Sequence, residues 1–254
     1  MILDQFGLDG RVALVTGAGS GMGQAIAVAL AEAGADIVGV YRSNIDETRQ
    51  VVESLGRGFR PVKIDLAKAT PCDLSELVDE AVMMMGALDI LVNCAGVIDR
   101  IPAVDFPEAV WERTLHVNLS VPFFLSQAAG RHFSTLGRGK IVNVGSILSY
   151  QGGILVPAYA ATKAALLNLT HALSDEWAGK GINVNCILPG FMVTAFTRPL
   201  RENTTRAAGI LSRIPAGRWG KAEDVQGAVV FLASSAADYV HGAALAVDGG
   251  WLAS

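Results

Sequence analysis

Short apolar runs alternate with longer stretches of mixed polar and apolar residues from the start of the chain. An apolar run at residues 12–16 is followed by a helical pattern at residues 22–33 and by a second apolar run at residues 36–40. Short apolar runs are typical of buried strands, whereas longer periodic stretches are typical of helices. The order therefore predicts a strand, a helix and a strand, which is the opening of a βαβ unit.

Further apolar runs predict a seven-stranded sheet. The five additional strands are expected at residues 60–64, 90–93, 140–144, 183–188 and 243–247. The runs are apolar on both faces, and the segments between them are long enough for crossover helices, so a parallel sheet covered on both sides is expected. Right-handed crossovers then give a Rossmann-like, doubly wound α/β fold. Since no repeat or linker interrupts the chain, we expect a single domain over residues 1–254.

Composition excludes several classes of function. With 254 residues and 51% hydrophobic residues, the chain can bury a large core. A net charge of -4 without a basic stripe argues against nucleic acid as a partner. Cys72, Cys94 and Cys186 are too widely spaced for a disulfide framework or a metal knuckle, so no metal is expected. The first residues show neither a signal peptide nor a membrane anchor, so we expect a cytoplasmic protein without membrane contact that acts on small molecules.

A glycine-rich segment lies between the first predicted strand and the first predicted helix. Glycines there permit a tight turn and let backbone N–H groups approach a pyrophosphate, whose charge is favoured by the helix N-terminus. No Gly-Lys-Ser/Thr sequence follows, which argues against a kinase-like phosphate loop. The segment predicts a dinucleotide site formed by Gly17, Gly19, Ser20, Gly21, Met22 and Gly23.

The tip of the second predicted strand bears on the choice between NAD and NADP. An acid at this position binds the ribose hydroxyls, whereas an arginine accommodates a 2′-phosphate. Here Tyr41 and Arg42 follow the strand and no acid is present, so both coenzymes stay open; Arg42 is equally well explained as a solvated loop residue. Asp65 and Leu66, at the end of the third strand, are candidates to contact the adenine, although Asp65 is also suited to capping the next helix.

A tyrosine and a lysine are spaced for proton transfer. Tyr159 stands four residues before Lys163, so the two share one face of a helix, and Ser146 stands thirteen residues before Tyr159. The lysine cation is expected to lower the tyrosine pKa from its usual value of about 10. Taken alone, Tyr159 also fits a packing residue and Lys163 a solvated one.

Asn118 precedes Pro122 by four residues in an apolar helical run. Because proline lacks an N–H, the Asn118 carbonyl loses its usual helical partner. We expect the freed carbonyl to hold a water molecule of a proton relay, the alternative being an ordinary helix residue.

Together these motifs resemble the short-chain dehydrogenase/reductase family over essentially the whole chain. The matching motifs are the glycine loop, Asn93-Cys94-Ala95-Gly96, Asn118, Ser146, Tyr159 to Lys163, and Pro189-Gly190. The resemblance implies an oxidoreductase with NAD or NADP, no metal and a homotetrameric assembly. It also implies a catalytic tetrad of Asn118, Ser146, Tyr159 and Lys163, with Tyr159 as general acid and base.

The resemblance assigns further roles around the tetrad. It implies that Ser146 hydrogen-bonds the substrate oxygen and that Lys163 also binds the nicotinamide ribose. The other residues expected at the coenzyme are Asn93, Ala95, Gly96, Tyr159, Pro189, Gly190, Val193 and Thr194.

Longer stretches resemble a subgroup of the family that acts on small polar sugar acids. These stretches cover residues 149–153, 213–220 and 231–252. A carboxylate substrate favours a nearby cation, for which Arg100, Arg198 and Arg218 are candidates, and Gln151 is a candidate polar contact alongside Ser146 and Tyr159. Residues 190–215 are the least regular segment and are expected to form a lid over the substrate.

Three other functions stay open. Dehydrogenases of gluconate and reductases of 3-oxoacyl groups on acyl carrier protein are similar members of the family. The function as a reductase of groups on acyl carrier protein is weakened by Asp175, which stands where those reductases have a basic residue. A non-catalytic sensor of nicotinamide dinucleotides is the alternative from a different class. Such a sensor would not need Tyr159 and Lys163 at a spacing suited to catalysis.

Overall fold

Seven parallel strands form one sheet in a computed structural model that describes residues 1–254. The strands are β1 (Val12–Thr16), β2 (Asp36–Tyr41), β3 (Phe59–Lys63), β4 (Ile90–Asn93), β5 (Gly139–Val144), β6 (Ile182–Pro189) and β7 (Ala244–Val247). Their order in the sheet is β3-β2-β1-β4-β5-β6-β7, so the direction of winding reverses between β1 and β4. The predicted Rossmann-like, doubly wound fold is confirmed.

Helices connect the strands and cover the sheet. They are α1 (Gly21–Glu32), α2 (Asp46–Ser54), α3 (Pro71–Met85), α4 (Glu108–Leu115), α5 (Val121–Leu136), α6 (Pro157–Trp177), α7 (Arg198–Glu202), α8 (Thr204–Leu211) and α9 (Gln226–Ala233). A π-helical turn, His116–Ser120, joins α4 to α5. No helix in the chain has the length and apolar character needed to cross a membrane.

Two buried clusters lie on opposite faces of the sheet. Ala13 and Val15 of β1 pack in one cluster with Ile26 of α1. Leu14, which points the other way, packs in the second cluster with Phe133 of α5. Because both faces of β1 are buried, its residues form a continuous apolar run rather than an alternating one. Each large apolar side chain buried in this way stabilises the fold by about 1.5–3 kcal/mol.

Two segments differ from the expectations. Strand β3 begins one residue earlier than predicted and contains Pro61, which an edge strand tolerates because its outer side needs no ladder hydrogen bonds. The segment 190–215 is not irregular, since it contains the short helices α7 and α8. Pro199 lies in the first turn of α7, where its missing N–H costs nothing, and the Asn203 side chain caps α8 by accepting a hydrogen bond from the Arg206 N–H at 2.9 Å.

A chain of buried polar side chains joins the two central strands to the helices. The Asn93 amide of β4 donates to the Asn143 carbonyl oxygen of β5 at 2.9 Å and to the Ser126 hydroxyl of α5 at 3.1 Å. The Asn143 amide in turn donates to the Thr170 hydroxyl of α6 at 2.9 Å. Since each missing partner in such a network costs about 1–3 kcal/mol, these bonds fix the positions of β4, β5 and α6 relative to one another.

Candidate active site

Four loops meet at the carboxyl edge of the sheet, where the winding reverses. They follow β1, β4, β5 and β6, and they carry the glycine segment, Asn93 to Gly96, Ser146 and Gly190 respectively. Parallel doubly wound sheets bind their ligands in the crevice at this edge. Tyr159 and Lys163 lie in the first turns of α6, next to the same crevice, because α6 packs against β6 and follows the Ser146 loop.

The glycine segment has the shape needed for a dinucleotide. A Cβ on Gly23 would lie 2.1 Å from the Gly17 carbonyl oxygen, and a Cβ on Gly19 would lie 2.2 Å from the Asn44 carbonyl oxygen. By contrast, no atom lies within 4 Å of the Cβ position of Gly21, the first residue of α1. The loop is therefore closed on its protein side and open in front of the helix N-terminus, which fits a pyrophosphate.

The predicted adenosine side lies next to this loop. Tyr41 contributes the nearest side chain to Gly19, and Arg42 is exposed and makes no hydrogen bond or ion pair, so its guanidinium is free. The carboxylate of Asp65 accepts a hydrogen bond from the Ala67 N–H at 3.2 Å, and Leu66 is buried. Asp65 therefore makes a local turn contact, and it does not cap the next helix, α3, whose capping side chain is Thr70.

Three members of the predicted tetrad meet in the crevice. The Lys163 amine lies 5.6 Å from the centre of the Tyr159 ring. Both Lys163 and Ser146 are buried, and the Ser146 hydroxyl is one of the groups that act on the pKa of Tyr159. The Ser146 oxygen also accepts a hydrogen bond from the Leu148 N–H at 3.1 Å, which fixes its rotamer. The spacing predicted from sequence thus brings the amine, the phenol and the serine together.

The expected effect of Lys163 on Tyr159 is wrong for the protein without coenzyme. Burial raises the pKa of Tyr159 to about 12, although the hydrogen bond from Ser146 opposes the change. The Lys163 amine donates to the Val144 carbonyl oxygen at 2.6 Å rather than to the phenol, and burial lowers the pKa of Lys163 itself. The phenol is therefore neutral at physiological pH and placed to donate a proton.

This shift predicts a measurable titration. In the folded protein Tyr159 ionises near pH 12, whereas an unfolded tyrosine ionises near pH 10. Because the folded state holds the Tyr159 proton more tightly than the unfolded state, the contribution of Tyr159 to the free energy of unfolding is full below pH 10. It is lost as the pH rises towards 12. Phenolate absorbance of the wild type minus that of Tyr159→Phe checks the value. A difference transition below pH 10 in the folded, coenzyme-free protein would contradict it.

Asn118 lies in the π-helical turn that precedes Pro122. The Val121 N–H bonds the His116 carbonyl there, five residues back, so the regular helical pattern is interrupted as expected. The Asn118 side chain accepts from the Val97 N–H at 2.8 Å and donates to the Val97 carbonyl at 2.9 Å. It therefore fixes the loop after β4. Gly96 leaves it room, since a Cβ there would lie 3.3 Å from the Asn118 Oδ1.

The predicted nicotinamide loop is only partly available for a ligand. Gly190 is needed where it stands, because a Cβ would lie 2.7 Å from the Cα of Asp248. The Val193 N–H donates to the Gly220 carbonyl at 2.7 Å, so only its carbonyl remains for a partner. Thr194 begins a short turn in which its N–H donates to the Thr197 hydroxyl at 3.2 Å. The Thr194 hydroxyl is thus the group best placed to reach a carboxamide.

Of the three arginines predicted to bind substrate, only Arg100 is close enough for its charge to act on Tyr159. Arg218 donates to both carboxylate oxygens of Asp224 at 2.6 and 2.9 Å, and Arg198 is exposed on α7. Arg100 is half-buried and makes no hydrogen bond or ion pair. Burial is the main cause that lowers its pKa, and the charge of Arg206 lowers it further, whereas Tyr159 raises it. Arg100 is thus a cation without a partner next to the phenol.

A strained residue holds the Arg100 loop in place. Leu155 has a φ of 67°, the only positive value outside glycine. Its carbonyl accepts a hydrogen bond from the Ile101 N–H at 2.9 Å, which ties the residue after Arg100 to the segment just before α6. Such a conformation costs about 1–2 kcal/mol for a residue with a Cβ, and this bond helps to offset it.

Arg206 of α8 was missed by the sequence analysis, and Gln151 lies in a different environment from the one expected. Arg206 lies in a polar stretch whose pattern predicts an irregular segment. The signal that could have found it is Asn203, a helix-capping residue three positions earlier. The Gln151 side-chain oxygen accepts from the Trp251 indole N–H at 2.9 Å, so it anchors the carboxyl-terminal segment. Only the Gln151 amide group remains free for a substrate. No cluster of three or more His, Cys, Asp or Glu side chains is suited to a metal.

Dinucleotide-dependent oxidoreductases are the class of protein whose fold and crevice this chain shares. The family described as enoyl-(acyl carrier protein) reductase matches residues 17–252. The chain belongs to the short-chain dehydrogenase/reductase family and is an NAD(P)-dependent oxidoreductase of that family.

Relatives of similar length share the whole chain. A 2-dehydro-3-deoxy-D-gluconate 5-dehydrogenase of Bacillus subtilis is 53% identical over 98% of this chain and 97% of its own. A candidate 2-deoxy-D-gluconate 3-dehydrogenase of Agrobacterium tumefaciens, solved with bound NADP, is 49% identical with a TM-score of 0.92, over 98% of this chain and 99% of that one. A gluconate 5-dehydrogenase of Burkholderia cenocepacia, solved with NADP and tartrate, is 38% identical with a TM-score of 0.94 over 100% of both chains.

Proposed function

We propose that this protein transfers a hydride between NAD or NADP and a small hydroxy or keto sugar acid, of the 2-dehydro-3-deoxy-D-gluconate or 2-deoxy-D-gluconate type. The observation that carries the substrate class is Arg100, a half-buried cation whose charge acts on Tyr159 and which has no acidic partner in the chain. A substrate carboxylate supplies the missing anion and is held by a charge-assisted hydrogen bond. The identity to sugar-acid dehydrogenases over the full length supports the same class.

Tyr159 moves the proton of the reaction. In reduction, its neutral hydroxyl donates a proton to the oxygen formed from the substrate carbonyl. In oxidation, its phenolate accepts the proton of the substrate hydroxyl. Bound NAD or NADP accepts or supplies the hydride. Ser146, which acts on the pKa of Tyr159, holds the same substrate oxygen and stabilises the charge that develops on it.

Lys163 and Asn118 act on Tyr159 and its surroundings. The Lys163 amine has three donor positions and uses one on Val144, so others are open to a nicotinamide ribose and to a relay of protons. Asn118 fixes the loop after β4 with its side chain, and its main-chain carbonyl, on the interrupted turn, is proposed to hold a relay water.

The coenzyme is proposed to extend along the carboxyl edge of the sheet. Gly17 to Gly23 would hold the pyrophosphate, and Tyr41, Arg42, Asp65 and Leu66 would hold the adenosine. The residues that would hold the nicotinamide are Asn93, Ala95, Gly96, Pro189, Gly190, Val193 and Thr194. The free Arg42 guanidinium and the lack of an acid at the tip of β2 support acceptance of NADP.

A substrate screen tests the proposal. Purified protein is mixed with NAD or NADP and a panel of hexonates, deoxyhexonates, neutral polyols and simple alcohols, and with the reduced coenzymes and the matching keto acids. We expect turnover, followed by the absorbance of reduced nicotinamide, to be confined to the sugar acids. Turnover of neutral alcohols only, or coenzyme binding without any turnover, would contradict the proposal.

Gluconate oxidation at carbon 5 is the second candidate function. It is favoured by the similarity to the gluconate 5-dehydrogenase that was solved with tartrate, a small dicarboxylate. The substrates of the first candidate lack a hydroxyl at carbon 2 or at carbon 3, whereas D-gluconate carries both. Comparison of kcat/KM for D-gluconate with that for its 2-deoxy and 3-deoxy analogues therefore separates the candidates.

We further propose a homotetramer in the cytoplasm, with residues 190–215 as a lid. The outer face of α6 is lined by exposed small side chains, Ala161, Ala164 and Ala172, which allow another helix to approach closely. All three cysteines are unpaired, which suits a reducing compartment. The segment 190–215 carries α8, whose Arg206 influences Arg100 beside Tyr159.

A further inference from the structure

Arg206 lies on the first turns of α8, and packing directs that helix towards the active site. Ile210, one turn after Arg206, is buried in a cluster with Ile147 and Trp251. Ile147 directly follows Ser146, so this cluster joins α8 to the loop that carries the candidate serine. The Asn203 cap fixes where α8 begins. Arg206 therefore lies on a helix that packs against the residue after Ser146, and its charge acts on Arg100 of the loop after β4.

The guanidinium of Arg206 has no partner in the chain. Its Nε atom is buried and makes no hydrogen bond, and no carboxylate forms an ion pair with it. The neighbouring Arg201 also has a buried Nε, but its guanidinium donates to the Thr194 carbonyl at 3.4 Å. An unsatisfied buried donor costs about 1–3 kcal/mol, and more when it is charged. A ligand that accepts this hydrogen bond removes that cost.

Arg100 and Arg206 form a pair of like charges. Each lacks an anion, and the charge of Arg206 contributes to the lowered pKa of Arg100, after burial as the larger cause. Tyr159 is near enough to influence the same guanidinium. Two unpaired arginines whose charges act on each other are stabilised by an anion that binds both. A carboxylate has two oxygens and can accept a hydrogen bond from each arginine.

We propose that Arg206 is a specificity-determining residue that binds the substrate carboxylate together with Arg100. The inference rests on the proposed sugar-acid function and deepens it, because it assigns the recognition of the acid group to a residue of the segment 190–215. The carboxylate then bridges α8 to the loop after β4, across the reacting centre. Sugar acids bind both arginines through their carboxylate, whereas the corresponding neutral amides and polyols do not. The site therefore selects substrates by their negative charge.

Binding calorimetry on the NADP-loaded protein tests the assignment with two probes of the same shape, D-gluconate and its neutral amide, D-gluconamide. The wild type is expected to bind the acid more tightly than the amide. Arg206→Gln is expected to weaken binding of the acid by about tenfold or more and to leave binding of the amide unchanged. Arg206→Lys, which keeps the charge but not the planar fork, is expected to lie between the two.

Arg198→Gln is the matched control, because Arg198 lies on the same segment but is exposed. It is expected to bind both probes as the wild type does. Equal weakening of acid and amide by Arg206→Gln means a merely structural role and overturns the proposal, as does a wild type that does not prefer the acid. If the glutamine variant does not fold, Arg206→Met, which keeps the apolar stem, replaces it.

The proposed function and this inference fail in different ways. If no sugar acid is turned over, the proposed reaction is wrong. The preference for acid over amide can still be measured in the wild type and in the variants. Conversely, the protein can oxidise sugar acids while Arg206→Gln changes neither KM nor the preference for acid over amide. In that case the proposed function holds and the carboxylate site at Arg206 is wrong.

Discussion

Tyr159→Phe is expected to lower kcat by about 10²- to 10⁴-fold, the range of general acid–base catalysis. The change removes only the hydroxyl that carries the proton, whereas the ring and its packing remain. Affinity for NAD or NADP is therefore expected to stay close to that of the wild type. Steady-state kinetics and coenzyme fluorescence titration measure the two effects separately.

Tyr150→Phe is the control for this substitution. Tyr150 is 61% exposed and lies nine residues before Tyr159, so loss of its hydroxyl is expected to leave kcat unchanged. If Tyr159→Phe kept most of its activity, another group would have to supply the proton, and the assignment of Tyr159 as acid and base would be wrong. Loss of activity together with coenzyme affinity would instead indicate a disturbed fold.

Gly23→Ala is expected to weaken coenzyme binding by about 10- to 100-fold, which corresponds to the cost of about 1–3 kcal/mol for overpacking a rigid site. The added Cβ would lie 2.1 Å from the Gly17 carbonyl oxygen. Because that oxygen belongs to the backbone of the loop, the loop itself must move, and the N–H groups in front of α1 move with it. Fluorescence titration with NADP measures the loss.

Gly227→Ala provides a glycine-to-alanine change of the same size at a site with room. Gly227 lies inside α9, and nothing lies within 4 Å of its Cβ position. An alanine there is expected to raise stability by about 0.5–1 kcal/mol through helix propensity and to leave coenzyme binding alone. Unchanged NADP affinity in Gly23→Ala would show that the loop does not hold the pyrophosphate.

Most of the fold follows from local signals in the sequence. Strand β1 has the bounds that were predicted, because a buried parallel strand is apolar throughout. Strand β3 was displaced by one residue, since it lies at the sheet edge and contains Pro61, where the apolar pattern is weaker. The helices α7 and α8 were missed because they are short and polar, so that their caps rather than their periodicity define them.

The candidate site was only partly predictable. The positions of Ser146, Tyr159 and Lys163 follow from the topology, which places the ends of parallel strands and the start of α6 at one edge. The neutral state of Tyr159 does not follow from spacing, because it depends on how deeply the phenol is buried and on the Val144 carbonyl that engages Lys163. Likewise, the contact of Gln151 with Trp251 joins residues 100 positions apart, and no local pattern encodes it.

The buried hydrogen bonds between Asn93, Asn143 and Thr170 separate the part of the protein that carries the reacting groups from the part that can change its substrate selectivity. They anchor the reacting groups to the interior of the sheet, whereas α7 and α8 lie outside it, on a surface segment after β6. Substitutions in those two helices can alter which molecule is admitted while the proton-transfer machinery stays in place. A single scaffold can therefore diversify in selectivity without renewing its chemistry.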